Sequence, residues 1–213
     1  MNHDMKDLRK SYEKYTLTEE EAGLDPIAFF KVWFLLAQNE KQEEPNAMFL
    51  ATVDPSGQPS GRVVLLKEIL DGDFVFFTNY DSKKGKDLET NPKAALTFFW
   101  QSQERQIRIQ GSVSKVETSY AKEYFTKRPR VSQLGALASN QSSIVPNRNS
   151  LEVKFAELER KYQAQDVPMP EKWGGYRLKP NLIEYWQGRQ GRLHDRLEYK
   201  LIDHVWTRNR LSP

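Results

Sequence analysis

Three side chains near the end of the chain have the types and spacing of an anion site. They are Arg192, His194 and Arg196, within Trp186-Gln-Gly-Arg-Gln-Gly-Arg192-Leu-His194-Asp-Arg196-Leu-Glu-Tyr199. Apolar and aromatic residues on both sides of the Gly188 to Gly191 turn predict a hairpin, and side chains on a strand alternate between faces. Arg192, His194 and Arg196 then share one face. Two permanent cations flanking an imidazole repel each other, which implies an anionic, hydrogen-bonding ligand above them; charged alternation on a merely solvated strand is the other reading. Further cations are spaced for phosphate. Arg62 and Lys67 fall on one predicted strand, and Arg128 stands near Ser132. Lys83 and Lys84 open a predicted helix, where N–H groups and dipole favour an anion and a lysine pair is otherwise unfavourable. No Gly-x-Gly-x-x-Gly follows a strand and no Gly-x-x-x-x-Gly-Lys-Ser/Thr is present, so a phosphate has to be held mainly by side chains. These clusters together fit two phosphorylated molecules lying side by side.

Composition limits the remaining possibilities. A chain of 213 residues that is 38% hydrophobic and 12% aromatic can bury a substantial core. Its 32 Lys+Arg against 29 Asp+Glu leave a net charge of +3, too balanced for a protein whose main business is gripping nucleic acid. The absence of cysteine excludes disulfides, thiolate metal sites and cysteine nucleophiles, and it fits a reducing compartment. Histidines at 3, 194 and 204 lack zinc-ligand spacing, so no metal site is expected. The N-terminal residues lack the apolar core of a signal peptide, and no run approaches membrane-spanning length. The expectation is a soluble, cytoplasmic protein without membrane contact.

The elements that must position these residues follow from patterning. Residues 1–24 read as a mobile arm, and 25–213 as a single domain. Asp25-Pro26 caps a helix over Ile27 to Ala37 whose broad apolar face belongs in a core or against a partner subunit. Strands are predicted over Met48 to Val53, Arg62 to Ile69 and Phe74 to Thr78. A short helix runs from Lys83 towards Asn91, and a hairpin follows from Ala94 to Trp100 and Arg105 to Val116. Ile107 and Ile109 point one way there, Gln106, Arg108 and Gln110 the other. A helix capped by Thr118 or Ser119 must end about Arg128 because Pro129 disfavours helix in the residue before it. Two more helices cover Ser132 to Ser139 and Leu151 to Tyr162, and strands over Trp173 to Leu178, Ile183 to Gln187 and Arg192 to Ile202 precede a tail at Trp206 to Leu211. The fold class is mainly β with peripheral helices (α+β), and about eight strands at this spacing predict a closed barrel.

Several of these stretches together resemble one family. They are Arg62-Val63-Val64-Leu65-Leu66-Lys67, Phe77-Thr78-Asn79 with Ser82-Lys-Lys-Gly85, Arg105-Gln106, Tyr124-Phe-x-x-Arg128-Pro-x-x-Ser132, Gln141-Ser142-Ser143, Trp173-Gly-Gly, Glu184-x-Trp186-Gln-Gly188 and Arg192-Leu193-His194-Asp-Arg196. In this order they resemble the pyridoxine/pyridoxamine 5′-phosphate oxidases, from Arg9 to Pro213. The resemblance implies a homodimeric FMN-binding split β-barrel with the flavin at the subunit interface. It implies that Arg62, Val63, Val64, Leu65, Leu66, Lys67, Phe77 and Thr78 contact FMN, as do Lys83, Lys84, Gln106, Gln141, Ser142, Trp186 and Arg196. Lys67, Tyr124, Arg128 and Ser132 would take the substrate phosphate. Arg192, Leu193 and His194 would lie at the pyridine ring, with Arg192 and His194 catalytic, and Arg9 to Tyr12 would turn the arm into a lid. The implied reaction oxidises pyridoxine or pyridoxamine 5′-phosphate to pyridoxal 5′-phosphate, passing a hydride from C4′ to flavin N5 and on to oxygen as hydrogen peroxide.

These roles agree with the residues' chemistry. A phosphate carries nearly two negative charges, and Arg128 supplies a forked donor that Lys67 lacks. Gln106 both donates and accepts, which suits the mixed edge of a flavin ring. Arg192 can polarise the substrate oxygen, while His194 can either position the ring or accept a proton. Two positions depart from some family members: Lys83 stands where arginine occurs, and Phe77 where tyrosine occurs. Arg62 and Lys67, five apart, should face opposite sides of a strand, so a common ligand region needs a bulge, a strand end or two subunits. A split-barrel reductase using an external hydride donor, and a non-catalytic module that stores FMN or binds pyridoxal phosphate, are the rival readings.

Overall fold

The computed structural model describes residues 4–7 and 10–213. Arg9, assigned above to the lid, lies outside the described residues. The chain forms two compact units, one of residues up to Leu50 with Ala95–Gly111 and Pro180–Pro213, the other of Ala51–Ala94 with Ser112–Lys179. In chain order the elements are α1 (Glu19–Ala22), α2 (Pro26–Asn39), β1 (Ala47–Val53), β2 (Pro59–Leu65), β3 (Glu68–Leu70) and β4 (Asp73–Asn79). There follow α3 (Lys83–Thr90), β5 (Lys93–Trp100), β6 (Arg105–Lys115), α4 (Thr118–Lys127), α5 (Arg130–Ala138) and α6 (Arg148–Lys161). The chain closes with β7 (Trp173–Gln187), β8 (Asp195–Ile202) and β9 (Val205–Arg210). Hydrogen bonds order the strands β2-β1-β5-β6-β7-β4-β3, with β8 on β7 and β9 on β8. The two ends of this order, β2 and β3, pair with β1 and β4 respectively. They are pieces of one extended run interrupted only at Leu66 and Lys67.

In the first unit the core is built on α2. The Asp25 carboxylate accepts N–H bonds from Ile27 and Ala28, and Pro26 occupies the first helical position where no N–H is needed. Phe29, Phe30, Trp33 and Ala37 are buried along one face. Trp33 meets Tyr185 of β7 edge-on at 5.1 Å, and Phe30 meets Phe98 of β5 at 5.1 Å. Burying each such ring contributes about 2 kcal/mol. Leu17 is also fully buried, and the hydroxyl of Tyr199 donates to the carbonyl of Gly23, so the chain before α2 is packed onto this unit. Ile107 and Ile109 are wholly buried while Gln106 and Arg108 are not, as the alternation requires.

In the second unit β4 pairs antiparallel with the first half of β7, Phe74 opposite Leu178 through Asn79 opposite Trp173. Ser82 caps α3 by accepting the N–H of Gly85. A Cβ at Gly85 would lie 2.0 Å from the carbonyl oxygen of Tyr80, so only glycine permits this approach. Phe125, Leu134, Val167 and Trp173 form a cluster beneath α4 and α5. The break between those helices falls at Arg128, held in extended conformation (ψ 150°) before Pro129.

Three expected boundaries are corrected. The run from Arg62 to Ile69 is interrupted at Leu66 and Lys67, where the Lys67 N–H turns to the carbonyl of Val75. The strands at Trp173 to Leu178 and Ile183 to Gln187 are one continuous β7. The strand expected from Arg192 begins only at Asp195. Asp195 opposite Gln187 is the last pair of the β7–β8 ladder, the Gly188 N–H is taken by the carbonyl of Glu104, and Gly191 and Arg192 both adopt left-handed backbone (φ 63°).

Candidate functional site

The end of β2, the middle of β4, the first turn of α3 and the α4–α5 junction surround a cavity of about 780 Å³, within the usual size of a cofactor or ligand site. Four cations line it, Lys67, Lys84, Lys127 and Arg128, and no aspartate or glutamate does. Lys84 is 9% exposed, and its ammonium reaches Gln141 Oε1 at 2.9 Å and Thr78 Oγ1 at 3.2 Å. Thr78 Oγ1 in turn donates to Gln141 Oε1 at 2.9 Å. No carboxylate pairs with Lys84 among the described residues; burial, then the charge of Arg62, holds its pKa below the ordinary lysine value. A charge removed from water with only neutral partners is costly, and an anion in the cavity relieves that cost.

The opposite wall is aromatic. Phe77 stacks on Tyr124 at 3.9 Å and on Trp173 at 5.2 Å, and the Arg128 guanidinium lies over Trp173 at 4.8 Å. Arg128 Nη1 is buried without a hydrogen-bond partner, which leaves a forked donor available to an oxyanion beside Lys67 and Ser132. Burial lowers the Arg128 pKa and Tyr124 partly opposes this, while burial raises that of Tyr124. Val63, Val64 and Leu65 line the same cavity. Leu66 is buried and its side chain is turned into the protein.

The lysine pair at α3 divides. Lys83 reaches Asp87 Oδ1 at 3.3 Å and Asp54 at 3.5 Å, and it does not line the cavity. Arg62 donates to Thr52 Oγ1 at 2.7 Å and Ser60 Oγ at 2.6 Å, with its guanidinium 3.9 Å from Asp87. Buried Asp87 also accepts the Thr52 hydroxyl at 2.7 Å. Arg62 and Lys67 are separated by a strand end rather than a bulge. Ser142 has left-handed backbone (φ 70°) and is exposed beyond Gln141.

The other unit holds a second group. Lys10, Ser11, Tyr12, Arg189, Gly191, Arg192 and His194 line a cavity of about 420 Å³. The His194 ring lies 4.6 Å from Trp186, and Tyr12 meets Trp186 edge-on at 5.8 Å. His194 Nδ1 accepts the Arg189 N–H at 3.0 Å, so the neutral ring carries its proton on Nε2 and presents a donor there. Burial, then Arg192, lowers its pKa and favours that neutral form. Arg192 and Leu193 are exposed. The common strand face expected for Arg192, His194 and Arg196 does not form, because the first two precede β8. Arg196 is instead bonded to Glu184, and Gln106 stands on β6 on the face of Arg108, which also binds Glu184.

Sequence reasoning missed Asp87 and Glu104 and gave Glu184 only as part of a motif; all three are buried carboxylates whose partners lie mainly on other elements. Trp173-Gly-Gly marked the aromatic wall only as a motif. Lys127 and Ser139 also line the cavity, Lys127 on α4 one residue before Arg128 and Ser139 just after α5, about two turns beyond Ser132.

Comparison with known proteins places this geometry. Residues 37–162 match the family model described as pyridoxamine 5′-phosphate oxidase, and residues 173–213 match the pyridoxine 5′-phosphate oxidase C-terminal dimerisation region. The chain is 53% identical over 211 residues to a pyridoxine/pyridoxamine 5′-phosphate oxidase of Leptospira biflexa, covering 99% of this chain and 100% of that one. It is similar in structure to PhzG of Burkholderia lata, solved with tetrahydrophenazine-1-carboxylic acid, at a TM-score of 0.90 and 29% identity over 95% of this chain and 100% of that one. A pyridoxamine 5′-phosphate oxidase-related, FMN binding protein from Nostoc punctiforme shares the fold at a TM-score of 0.71 and 16% identity, over 90% and 99% of the two chains. Antiparallel sheet, peripheral helices and family matches agree on an α+β split barrel, and no described helix is long and apolar enough to cross a membrane. The chain belongs to the pyridoxamine 5′-phosphate oxidase family.

Proposed function

We propose that this protein is a cytoplasmic, FMN-dependent oxidase that converts pyridoxine or pyridoxamine 5′-phosphate to pyridoxal 5′-phosphate. The observation that carries this reading is a cavity lined by Lys67, Lys84, Lys127 and Arg128 and by no acid, in a chain of this family. Lys84, Thr78 and Gln141 are the residues suited to FMN in that cavity, with the backbone of Val63 to Leu66 alongside; Lys67, Tyr124, Arg128 and Ser132 are suited to the substrate phosphate. Arg62 and Lys83 serve the flavin phosphate from behind Asp87, and Phe77 offers only its ring and backbone. Ser142, Gln106, Trp186 and Arg196 complete the flavin contacts in a homodimer with FMN at the subunit interface, which the dimerisation region supports.

When bound, FMN supplies hydride acceptance from substrate C4′ and return of the electrons to oxygen as hydrogen peroxide. The protein's part is alignment and proton management. Arg192 donates to the substrate oxygen or nitrogen at C4′, and Leu193 flanks the ring. His194 presents Nε2–H, so it orients substrate by donating; its Nδ1 lone pair is already engaged by Arg189. The alcohol loses one hydride and one proton overall; the amine additionally consumes water and releases ammonia. Residues 10–24 form a lid with Tyr12 over the ring site, and residues 25–213 work as one domain.

The test is a visible spectrum of the purified holoprotein without oxygen, before and after adding pyridoxine 5′-phosphate, then in air. A flavin band that bleaches with substrate and returns with air is expected. A band unchanged by substrate would sink the proposed reaction, and bleaching by a nicotinamide alone would move the reading to a reductase.

A further inference from the structure

Glu104, in the turn before β6, is only 2% exposed, yet among the described residues its carboxylate pairs only far along the chain. It faces the N-terminal segment. Its Oε2 accepts the N–H groups of Glu13 at 2.8 Å and Lys14 at 3.1 Å, and its Oε1 lies 3.2 Å from the Lys10 ammonium. Burial pushes the Glu104 carboxyl up, but these N–H groups and Lys10 outweigh it and hold it ionised below the usual range. The Lys14 ammonium is anchored separately, on the carbonyl of Ser102.

The main chain of Glu104 is tied to the other side of the same small site. Its carbonyl accepts the Gly188 N–H at 2.8 Å and the Gln187 side-chain amide at 3.2 Å. Gly188 has no side chain to give, and a Cβ there would lie 2.6 Å from the Tyr12 ring. Tyr12 therefore rests on bare backbone, edge-on to Trp186 and 6.1 Å from His194. Glu104 itself holds a left-handed conformation (φ 56°), which a non-glycine residue adopts only where its surroundings hold it. One residue thus fixes the floor under Tyr12 through its carbonyl and the segment carrying Tyr12 through its carboxylate.

We propose that Glu104 is a positioning residue, a latch that seats residues 10–14 on Gly188 and sets Tyr12 against Trp186 and His194. The seating is independent of the reaction; its consequence for substrate affinity rests on the function proposed above. Removing the latch lets the segment lift, opens the wall of the Arg192 and His194 cavity, and weakens substrate binding more than it slows turnover.

The experiment is amide hydrogen exchange of the FMN-loaded full chain, read on peptides covering residues 10–17, for wild type, Glu104→Ala, Glu104→Gln and Gly188→Ala. Glutamine keeps one neutral acceptor for the two N–H groups and loses only the Lys10 pair, so a graded series is expected. The amides of Glu13 and Lys14 should exchange at least about tenfold faster in Glu104→Ala, with Glu104→Gln between it and wild type. Gly188→Ala unseats Tyr12 without touching the carboxylate and should free the same amides, which keeps a readout if Glu104→Ala does not fold. In steady-state assays KM for pyridoxine 5′-phosphate should rise several-fold more than kcat falls. Unchanged exchange in all three variants overturns the latch, and faster exchange with no change in KM overturns its positioning role. A wild-type protein that binds FMN but turns over no substrate defeats the proposed reaction while leaving the exchange result to decide the latch.

Discussion

Arg196 of β8 grips both oxygens of Glu184 on β7, Nε to Oε1 at 2.9 Å and Nη2 to Oε2 at 3.2 Å, and Arg108 of β6 reaches the same Oε2 at 2.6 Å. Glu184 is 1% exposed, and among the described residues two guanidinium groups compensate it for leaving water. Replacing Glu184 by Gln keeps the shape and removes the charge. It should cost about 2 kcal/mol, the range for hydrogen bonds to charged groups, and lower the melting temperature by roughly 4–8 °C for a chain of this size. A melting curve within a degree of wild type would show that the clamp contributes nothing.

Arg128 offers a test of the phosphate site. Its guanidinium lies over Trp173 and leaves Nη1 unpaired, a stacked and forked donor that lysine cannot reproduce. Arg128→Lys should therefore raise KM for pyridoxine 5′-phosphate by about 10–100-fold, equivalent to ~1.5–3 kcal/mol for charge-assisted bonds. Pyridoxine without its phosphate should bind wild type and variant alike. An equal loss for both compounds would move Arg128 from phosphate recognition to general support of the cavity.

Local signals made part of this architecture legible. Asp25-Pro26 announces α2, the buried Ile107 and Ile109 confirm strand alternation, and Pro129 ends α4 one residue after Arg128. The motif order identified the family and most of the cavity lining. What stayed hidden depends on partners far along the chain. Glu104 takes its meaning from Glu13 and Lys14, 91 and 90 residues away, and Glu184 from Arg108, 76 residues away. The break at Lys67 and the late start of β8 likewise depend on other strands: the Lys67 N–H goes to Val75 of β4, and β8 begins at the last pair with β7, neither of which apolar alternation within a single strand encodes.

His194 gives a pH prediction with a definite sign. Burial and Arg192 both lower its pKa from the ordinary 6.5. A group depressed in the folded state contributes its full stability above the unfolded value, and that contribution is lost as pH falls through the folded one. The imidazole should thus titrate below 6.5 in a proton NMR titration, and stability should decline as pH falls below about 6.5. A midpoint at or above 6.5 would contradict the neutral, Nε2-protonated donor assigned to the site.

Lys84 separates binding from stability. In the ligand-free protein it is a buried cation whose partners are two neutral oxygens, and those partners already bond each other, Thr78 Oγ1 to Gln141 Oε1 at 2.9 Å. Lys84→Met keeps most of the side chain's length, removes the charge and leaves Thr78 Oγ1 and Gln141 Oε1 bonded to each other. Flavin-free protein should then gain about 1 kcal/mol in denaturant unfolding, because no charge need be held out of water. The same change should weaken FMN binding by at least about tenfold in a flavin fluorescence titration, because the cavity loses its most deeply buried cation. The opposite signs are the point of the test: a variant that loses stability and FMN together has a disrupted fold, whereas one that gains stability and loses FMN identifies Lys84 as a charge held in place for an anion.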